Sequence, residues 1–350
     1  YRVLVLPCSQ VISEKEEQAI RGFVDRGGLL VADVRPGFFG HFGRPAKGGI
    51  LDDLFGIARV EGGRIGRADL RVSGEIADRQ LGCFIPGRSL DGAVATHGAR
   101  ALIARDGVPA VIVNKQEKGG TVLFNFDISD YVGTLRRRGQ VDGLRDLVRS
   151  VFHLAGIEPR VTMTTDSGPL KATESVLFAS GKNQYLGILR SYETNHQSPQ
   201  MMKIQLPARR HAYDSRNGVY LGETDETSAV IGPGRALLYS LLPYRVDALE
   251  IEAPKAVTRG SGLSVSLSIR AVGESPGMHV IHLQLRDPDR NESRHYRENI
   301  LALAGKADTT IPIALNDLIG TWTITARDVA TGRTAETAFE VNEAGRADTD

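Results

Sequence analysis

The sequence predicts a multidomain chain in which an α/β domain is followed by all-β structure. Three observations carry this. Near the N-terminus, apolar β-branched runs alternate with a capped amphipathic segment, as in a βαβ unit. After Pro159 helical periodicity stops, and short strand-like runs separated by Gly, Pro, Asn and Asp take over. Strict apolar–polar alternation then appears in Leu263–Ile269 (LSVSLSI), as in a half-exposed strand. The 350 residues suit two or three domains.

Tyr1–Leu6 (YRVLVL) reads as a strand buried on both faces, and Pro7 ends it. Ser13 with Glu16 three residues later forms a capping box, followed by a helix through Ala19, Ile20, Phe23 and Val24. Gly27-Gly28 stops that helix, and Leu29–Ala32 (LLVA) is the next buried strand. Such a unit implies a parallel sheet with right-handed crossovers. Leu51–Phe55 reads as a short helix ending at Gly56. Ala110–Val113 and Thr121–Phe126 read as strands joined by a Lys118-Gly119-Gly120 turn. Over Val141–Ala155, the residues Leu144, Val148, Val151, Phe152 and Ala155 have helical spacing. This first domain spans residues 1–158.

Residues 159–246 read as a small antiparallel β domain with strands at Val176–Phe178, Tyr185–Leu189, Met202–Leu206 and Ala236–Leu241. Residues 247–342 read as a β-sandwich. After Leu263–Ile269, its strands are Val280–Leu285, Thr309–Ile313, Trp322–Ala326 and Ala338–Val341. Residues 343–350 are a polar tail expected to fray.

Forty-three basic against 42 acidic residues leave a net charge of +1, which gives no footprint for nucleic acid or an acidic membrane. No apolar run reaches the roughly 18–20 residues of a membrane-spanning helix. Two cysteines, Cys8 and Cys83, are too few for a disulfide framework. Aromatic residues make up 6% with a single tryptophan, which weighs against a glycan-stacking module. The chain opens at Tyr1 inside a strand pattern and is expected to be a cut-out or processed piece. The lack of a leader then says nothing about compartment.

In order along the chain stand Tyr1–Pro7 (YRVLVLP), Phe23–Val31 (FVDRGGLLV), Ile50–Ile57 (ILDDLFGI), Lys118–Asp127 (KGGTVLFNFD) and the helix into Leu154-Ala155-Gly156-Ile157. Together they resemble the trimerisation domain of glycoside hydrolase family 42 β-galactosidases, a class I glutamine amidotransferase-like domain. Tyr213-Asp214-Ser215-Arg216 with Tyr220-Leu221-Gly222 is similar to the small β domain that follows in those enzymes. Ile313–Thr323 (IALNDLIGTWT) resembles a macroglobulin-like or bacterial immunoglobulin-like module. The resemblance implies a flavodoxin-like parallel-sheet domain followed by two β-sandwich domains. It places the family's catalytic glutamates on an upstream (β/α)₈ barrel, so no catalytic residue carries over to this chain. It implies an assembly role, with self-association through the α/β domain and contact with the barrel as partners. No cofactor or metal is implied, and the immunoglobulin-like module leans toward an extracytoplasmic setting.

An amidotransferase places its cysteine on a glycine-flanked turn after a strand. Leu29–Ala32 is followed instead by Asp33-Val34-Arg35-Pro36-Gly37, with no Cys or Ser. Cys8 is the remaining nucleophile candidate, between a strand and a capped helix, with His41, His97 or His153 as possible bases. This is the basis of an alternative reading as a stand-alone Cys-dependent amidase. A third reading is a carbohydrate-binding or adhesive module using Tyr192, Tyr213 and Tyr220. Cys83 lies in an apolar stretch and reads as core. Asp127, Asp130 and Tyr131 follow a strand end, where α/β folds place functional groups. The loop Arg35-Pro36-Gly37-Phe38-Phe39-Gly40-His41-Phe42-Gly43 is Gly-rich and aromatic. It lacks the Lys-Ser/Thr pair of a phosphate loop, so Arg35, Phe38, Phe39, His41 and Phe42 are the candidate interface residues. His279 and His282 fall on opposite faces of a predicted strand, which speaks against a metal pair. Arg136-Arg137-Arg138 reads as a solvated approach to the last helix.

Overall fold

A computed structural model describes residues 1–44, 48–60, 65–76, 79–105, 107–128, 142–192 and 198–343. Asp130, Tyr131, Arg136, Arg137, Arg138 and the tail beyond residue 343 lie outside the described residues, as do the side chains of His41 and Cys83. The chain divides into two compact units, residues 1–159 and 160–350.

The first unit begins with β1 (Val3–Leu6), α1 (Glu14–Asp25) and β2 (Leu29–Ala32). The capping box forms as the sequence predicts: Ser13 Oγ accepts the Glu16 N–H, and the Glu16 carboxylate accepts the Ser13 N–H at 2.8 Å. Buried Ile20 and Val24 hold α1 against the sheet. Then come α2 (Asp52–Phe55), β3 (Ile57–Arg59), the long hairpin β4 (Ile65–Ile76) and β5 (Arg79–Asp91), β6 (Val94–Thr96), β7 (Arg100–Arg105), β8 (Val108–Lys115), β9 (Gly120–Phe124) and α3 (Asp142–Leu154). The central sheet has the order β1-β2-β9-β8-β7. Apolar side chains pack on both of its faces, with Val31, Val122, Phe124, Leu147 and Val151 on one and Leu30, Leu123, Ile112, Phe55 and Val24 on the other.

The expected flavodoxin-like, amidotransferase-like parallel sheet is not what forms. Only β1, β2 and β9 run parallel, while β8 and β7 are antiparallel to their neighbours. The molecule is mostly β, with three helices among the described residues and curled sheets. The reason lies in the connections. Residues 116–119 alone join β8 to β9, and a parallel crossover needs about a dozen residues or more. The turn at Gly119-Gly120 therefore forces an antiparallel return, and residues 65–91 form a two-stranded hairpin where a doubly wound fold would have a strand–helix repeat.

The second unit opens with one curled seven-stranded sheet rather than a first sandwich. Its strands are β10 (Thr162–Thr165), β11 (Gly168–Pro169), β12 (Thr173–Ser180), β13 (Asn183–Arg190), β14 (Gln200–Asp214), β15 (Val219–Ile231) and β16 (Ala236–Leu242). They run in the order β11-β10-β14-β16-β13-β12, with β15 paired to β14. Alternation turns Leu186, Ile188, Met202, Ile204 and Leu241 into its core. The chain continues through β17 (Arg245–Glu252), β18 (Ala256–Thr258), β19 (Gly262–Val272), β20 (His279–Arg286), β21 (Glu292–Ala302), β22 (Lys306–Pro312), β23 (Gly320–Asp328) and β24 (Thr334–Asn342). Sheets β17-β19-β22 and β18-β24-β23-β20-β21 enclose Leu263, Val265, Leu267, Ile281, Leu283, Trp322, Ile324 and Phe339. This core runs on without a break into Tyr213, Leu242 and Tyr244. Tyr213 fixes the join by accepting the Val246 N–H on its phenol oxygen at 2.8 Å. Beside it the Gly218 and Gly332 turns cross so closely that a Cβ on Gly332 would meet Gly218 Cα at 2.3 Å.

No helix among the described residues is long and apolar enough to cross a membrane.

Candidate functional site

Parallel strands deliver their C-terminal ends to one side of a sheet, and β1, β2 and β9 bring Cys8, Asp33, Arg35 and Asp127 to that end. Cys8 sits at φ 48° on the turn after β1. Its N–H donates to Asp33 Oδ1 at 2.5 Å, and its Sγ lies 3.7 Å from Asp33 Oδ2. The Ile128 N–H, beyond β9, donates to the same Oδ2 at 3.2 Å. Burial pushes the Asp33 carboxyl above its usual range, against the pull of these two N–H donors.

One turn further on, Arg35 adopts φ 60° and reaches back to Asp91 at the end of β5, with Nε 2.8 Å from Oδ2. Arg59 also meets Asp91 Oδ2, at 3.0 Å, and holds Asp52 with two parallel bonds of 2.9 and 3.0 Å. Burial alone would raise the Asp91 carboxyl. Hydrogen bonds from Arg35 and the Ala93 N–H, with the charges of Arg35 and Arg59, outweigh that and hold it below the usual range. The Phe38 ring lies under both guanidinium groups, 4.7 Å from Arg35 Cζ and 5.5 Å from Arg59 Cζ. Phe39 packs edge-on against Phe38.

Backbone bonds pin the same loop. The Gly37 N–H donates to Ser9, the Phe39 N–H to Gln10, and the Ile12 N–H to Phe39. Gly37 is required by shape as well as by its φ of 61°, because a Cβ there would meet Ile50 Cγ1 at 2.7 Å. At the loop's tip is the single turn His41–Gly43, where Phe42 takes φ 59° and stays 84% exposed. Of the interface residues read from the sequence, Arg35, Phe38 and Phe39 thus build the base of the loop, and Phe42 is presented to solvent.

The remaining candidates disperse. His97 follows β6, its N–H bonded to Gly56, and His153 pairs with Glu158 after α3. Among the described groups, the Asp33 carboxylate lies near the Cys8 sulfur. Asp127 turns back to the hairpin, accepting the Ser89 N–H at 2.6 Å with Arg88 Nη1 3.8 Å away. Sequence reasoning missed Asp52, Arg59 and Asp91; Asp52 and Asp91 are 39 residues apart along the chain and meet through Arg59 at the end of β3. No cluster of three or more His, Cys, Asp or Glu suited to a metal lies among the described residues.

A second polar cluster is buried in the second unit. His279 and His282 do take opposite faces of β20. His282 bonds Asn299, while His279 is fully enclosed, with Nδ1 2.9 Å from Asp328 Oδ1 and Nε2 2.9 Å from the Tyr244 phenol. Tyr244 also accepts the Gly277 N–H at 2.7 Å and donates to Asn183 Oδ1 at 2.9 Å. Thr331 Oγ1 donates to Asp328 Oδ2 at 2.5 Å. Burial raises the Tyr244 phenol above its usual range.

No family model and no curated protein matches this chain. Among solved structures, it is similar to Gan42B, a GH42 β-galactosidase from G. stearothermophilus, at 16% identity and a TM-score of 0.48. It is also similar to a β-galactosidase from a Rahnella species at 15% identity and 0.47, and to an apo exo-carrageenase GH42 from Bacteroides ovatus at 9% and 0.32. Each alignment covers 69% of this chain. The chain spans about a third of the first two structures (32%) and 22% of the third.

Proposed function

We propose that this chain is a non-catalytic assembly region of a β-galactosidase-like glycoside hydrolase, with the loop at Phe42 as a contact for a neighbouring subunit or a catalytic barrel. The observation that carries the reading is the contrast within that loop. Its charges are neutralised inside the Arg35–Asp91–Arg59–Asp52 network, and its backbone is pinned, yet it holds a phenylalanine 84% exposed at its tip. Such an arrangement spends no reactive group on chemistry and keeps an aromatic anchor pre-organised for burial against a partner. The parent enzyme class rests on the motif order from Tyr1–Pro7 to Lys118–Asp127.

Two measurements test this. The mass of the native protein that contains the chain, read with an antibody raised to it, is expected at twice 37.9 kDa or more; a mass near 37.9 kDa would sink the idea of an attached catalytic domain. Phe42→Ser is expected to weaken self-association of the native protein in sedimentation while leaving its unfolding unchanged. An unaltered assembly would remove the loop from the contact.

A further inference from the structure

Where the curled sheet meets the sandwich, the partners of a buried polar set fix where its hydrogens lie. Asn183 begins β13, Tyr244 lies between β16 and β17, His279 begins β20 and Asp328 ends β23. All four are 1% exposed or less. The Asn183 side-chain N–H donates to the Met278 carbonyl at 3.1 Å, which orients that amide and turns its Oδ1 to the Tyr244 phenol. An amide oxygen has no hydrogen to offer, so Tyr244 donates its single one there, at 2.9 Å. Burial raises the Tyr244 phenol, which therefore keeps that hydrogen. Its oxygen is left to accept the Gly277 N–H at 2.7 Å and to meet His279 Nε2 at 2.9 Å. With the phenol hydrogen committed to Asn183, the hydrogen of this last bond has to come from Nε2.

On the other side of the ring, Nδ1 lies 2.9 Å from Asp328 Oδ1, a spacing that also needs one hydrogen between the two atoms. Asp328 is placed as an acceptor, taking the Thr331 hydroxyl on Oδ2 and the Ala330 N–H on Oδ1 at 3.3 Å. Charge balance points the same way. Lys182, in the β12–β13 turn, lies over the Tyr244 ring at 5.4 Å from its centroid, but Glu274 meets its ammonium at 3.0 Å. Tyr185 on β13 also feels the Asp328 charge, and burial, the larger cause, raises its phenol and keeps it neutral. A neutral imidazole would leave the Asp328 carboxylate unbalanced in the core, and an imidazolium balances it.

We propose that His279 is an imidazolium in the folded protein, and that its second ring proton latches the curled sheet to the sandwich. Without that proton the ring has one hydrogen for two partners. If the hydrogen stays on Nε2, a bare Nδ1 faces the Asp328 carboxylate. If it stays on Nδ1, the Tyr244 phenol has to turn its own hydrogen to Nε2, which leaves Asn183 Oδ1 unpaired in the core. Either way one bond is lost from the set that ties β13 to β20 and β23, and a buried polar atom is stranded. Raising the pH therefore loosens the join from within. This latch belongs to the second unit and stands whether or not the Phe42 loop is a contact.

Nitrogen and carbon NMR of the full chain tests it at about pH 7.5, above the ordinary histidine value near ~6.5. Both ring nitrogens of His279 should resonate as protonated, and the Asp328 carboxyl carbon as ionised. The folded chain then holds about one proton more than the unfolded one. Its contribution is complete below ~6.5 and is lost as pH rises through the point where the folded ring gives up its proton, so the Trp322 urea midpoint should fall over that range. In His279→Gln the slope should lessen by about one proton. Should that variant fail to fold, the resonances of the unaltered chain decide alone. A ring protonated on one nitrogen only, a protonated Asp328, or the same pH slope in both proteins would overturn the proposal.

Discussion

Two polar clusters in this molecule solve the same electrostatic problem in different ways. At the strand ends of the first unit, Asp52, Arg59, Asp91 and Arg35 alternate in sign, and each charge is met by an opposite one. In the second unit Asn183, Tyr244, His279, Asp328 and Thr331 lie inside the core and satisfy one another by hydrogen bonds. The first cluster borders on solvent through Arg35 and can relax when a member is lost. The second has no water to fall back on, so each member's value is set by what its removal leaves buried. Loop-borne charge networks therefore hold a surface in shape, whereas core networks fix how the curled sheet joins the sandwich.

The sharpest way to break the comparison is His279→Leu. It leaves Asp328 in the core without the imidazole that meets its Oδ1, and a loss of about 3 kcal/mol is expected in the second unit. Urea unfolding followed by fluorescence reads this unit alone, because Trp322 is the chain's single tryptophan. A loss under about 1 kcal/mol would mean that the core cluster is as forgiving as the surface one.

Arg59→Met should cost the first unit less, about 2 kcal/mol, since Asp91 keeps Arg35 and Asp52 keeps the Gly49 N–H. Circular dichroism, which sees both units, should show an earlier first transition with the Trp322 signal unmoved.

Asp91 and Asp33, two buried carboxyls of the first unit, should answer acid with opposite signs. Asp91 is depressed in the folded state, so its contribution is present above the unfolded value near ~3.9 and is lost as pH falls through the lower folded value. Asp33 is raised, so its cost is present at neutral pH and is relieved as pH falls through the raised value toward ~3.9. Urea midpoints measured against pH should show Asp91→Asn removing the acid-side loss and Asp33→Asn removing the gain. The same slope in both variants would contradict the assignment of the two environments.

The smallest stability effect belongs to Phe42→Ser, within about 0.5 kcal/mol, because an exposed ring contributes little to the fold. If it destabilises the first unit markedly, Phe42 is a packing residue and the comparison between the base and tip of its loop fails.

Legibility followed the range of the interactions involved. The capping box at Ser13, the strand at Leu29–Ala32, the Gly119-Gly120 turn and the helix at Asp142–Leu154 were readable because neighbours within a few residues decide them. The loop Arg35–Phe42 was recognisable as unusual by its composition. Its base was not, since Arg59 and Asp91 enter from elements more than 20 and 50 residues away. The hairpin over Ile65–Asp91 escaped notice because Gly, Arg and Asp interrupt its alternation.

By itself, then, the sequence determined the local elements and the change of texture after Pro159, since propensity, capping and apolar period act over one or two turns of chain. Tertiary structure alone decided the strand directions. The short β8–β9 connection overrode the parallel expectation raised by the first βαβ unit. It also decided that His279 meets Asp328 and Tyr244, and which residues of the aromatic loop are packed. Those outcomes depend on pairings between distant segments, and a backbone turn or a buried charge finds its energy only when the whole sheet has closed around it.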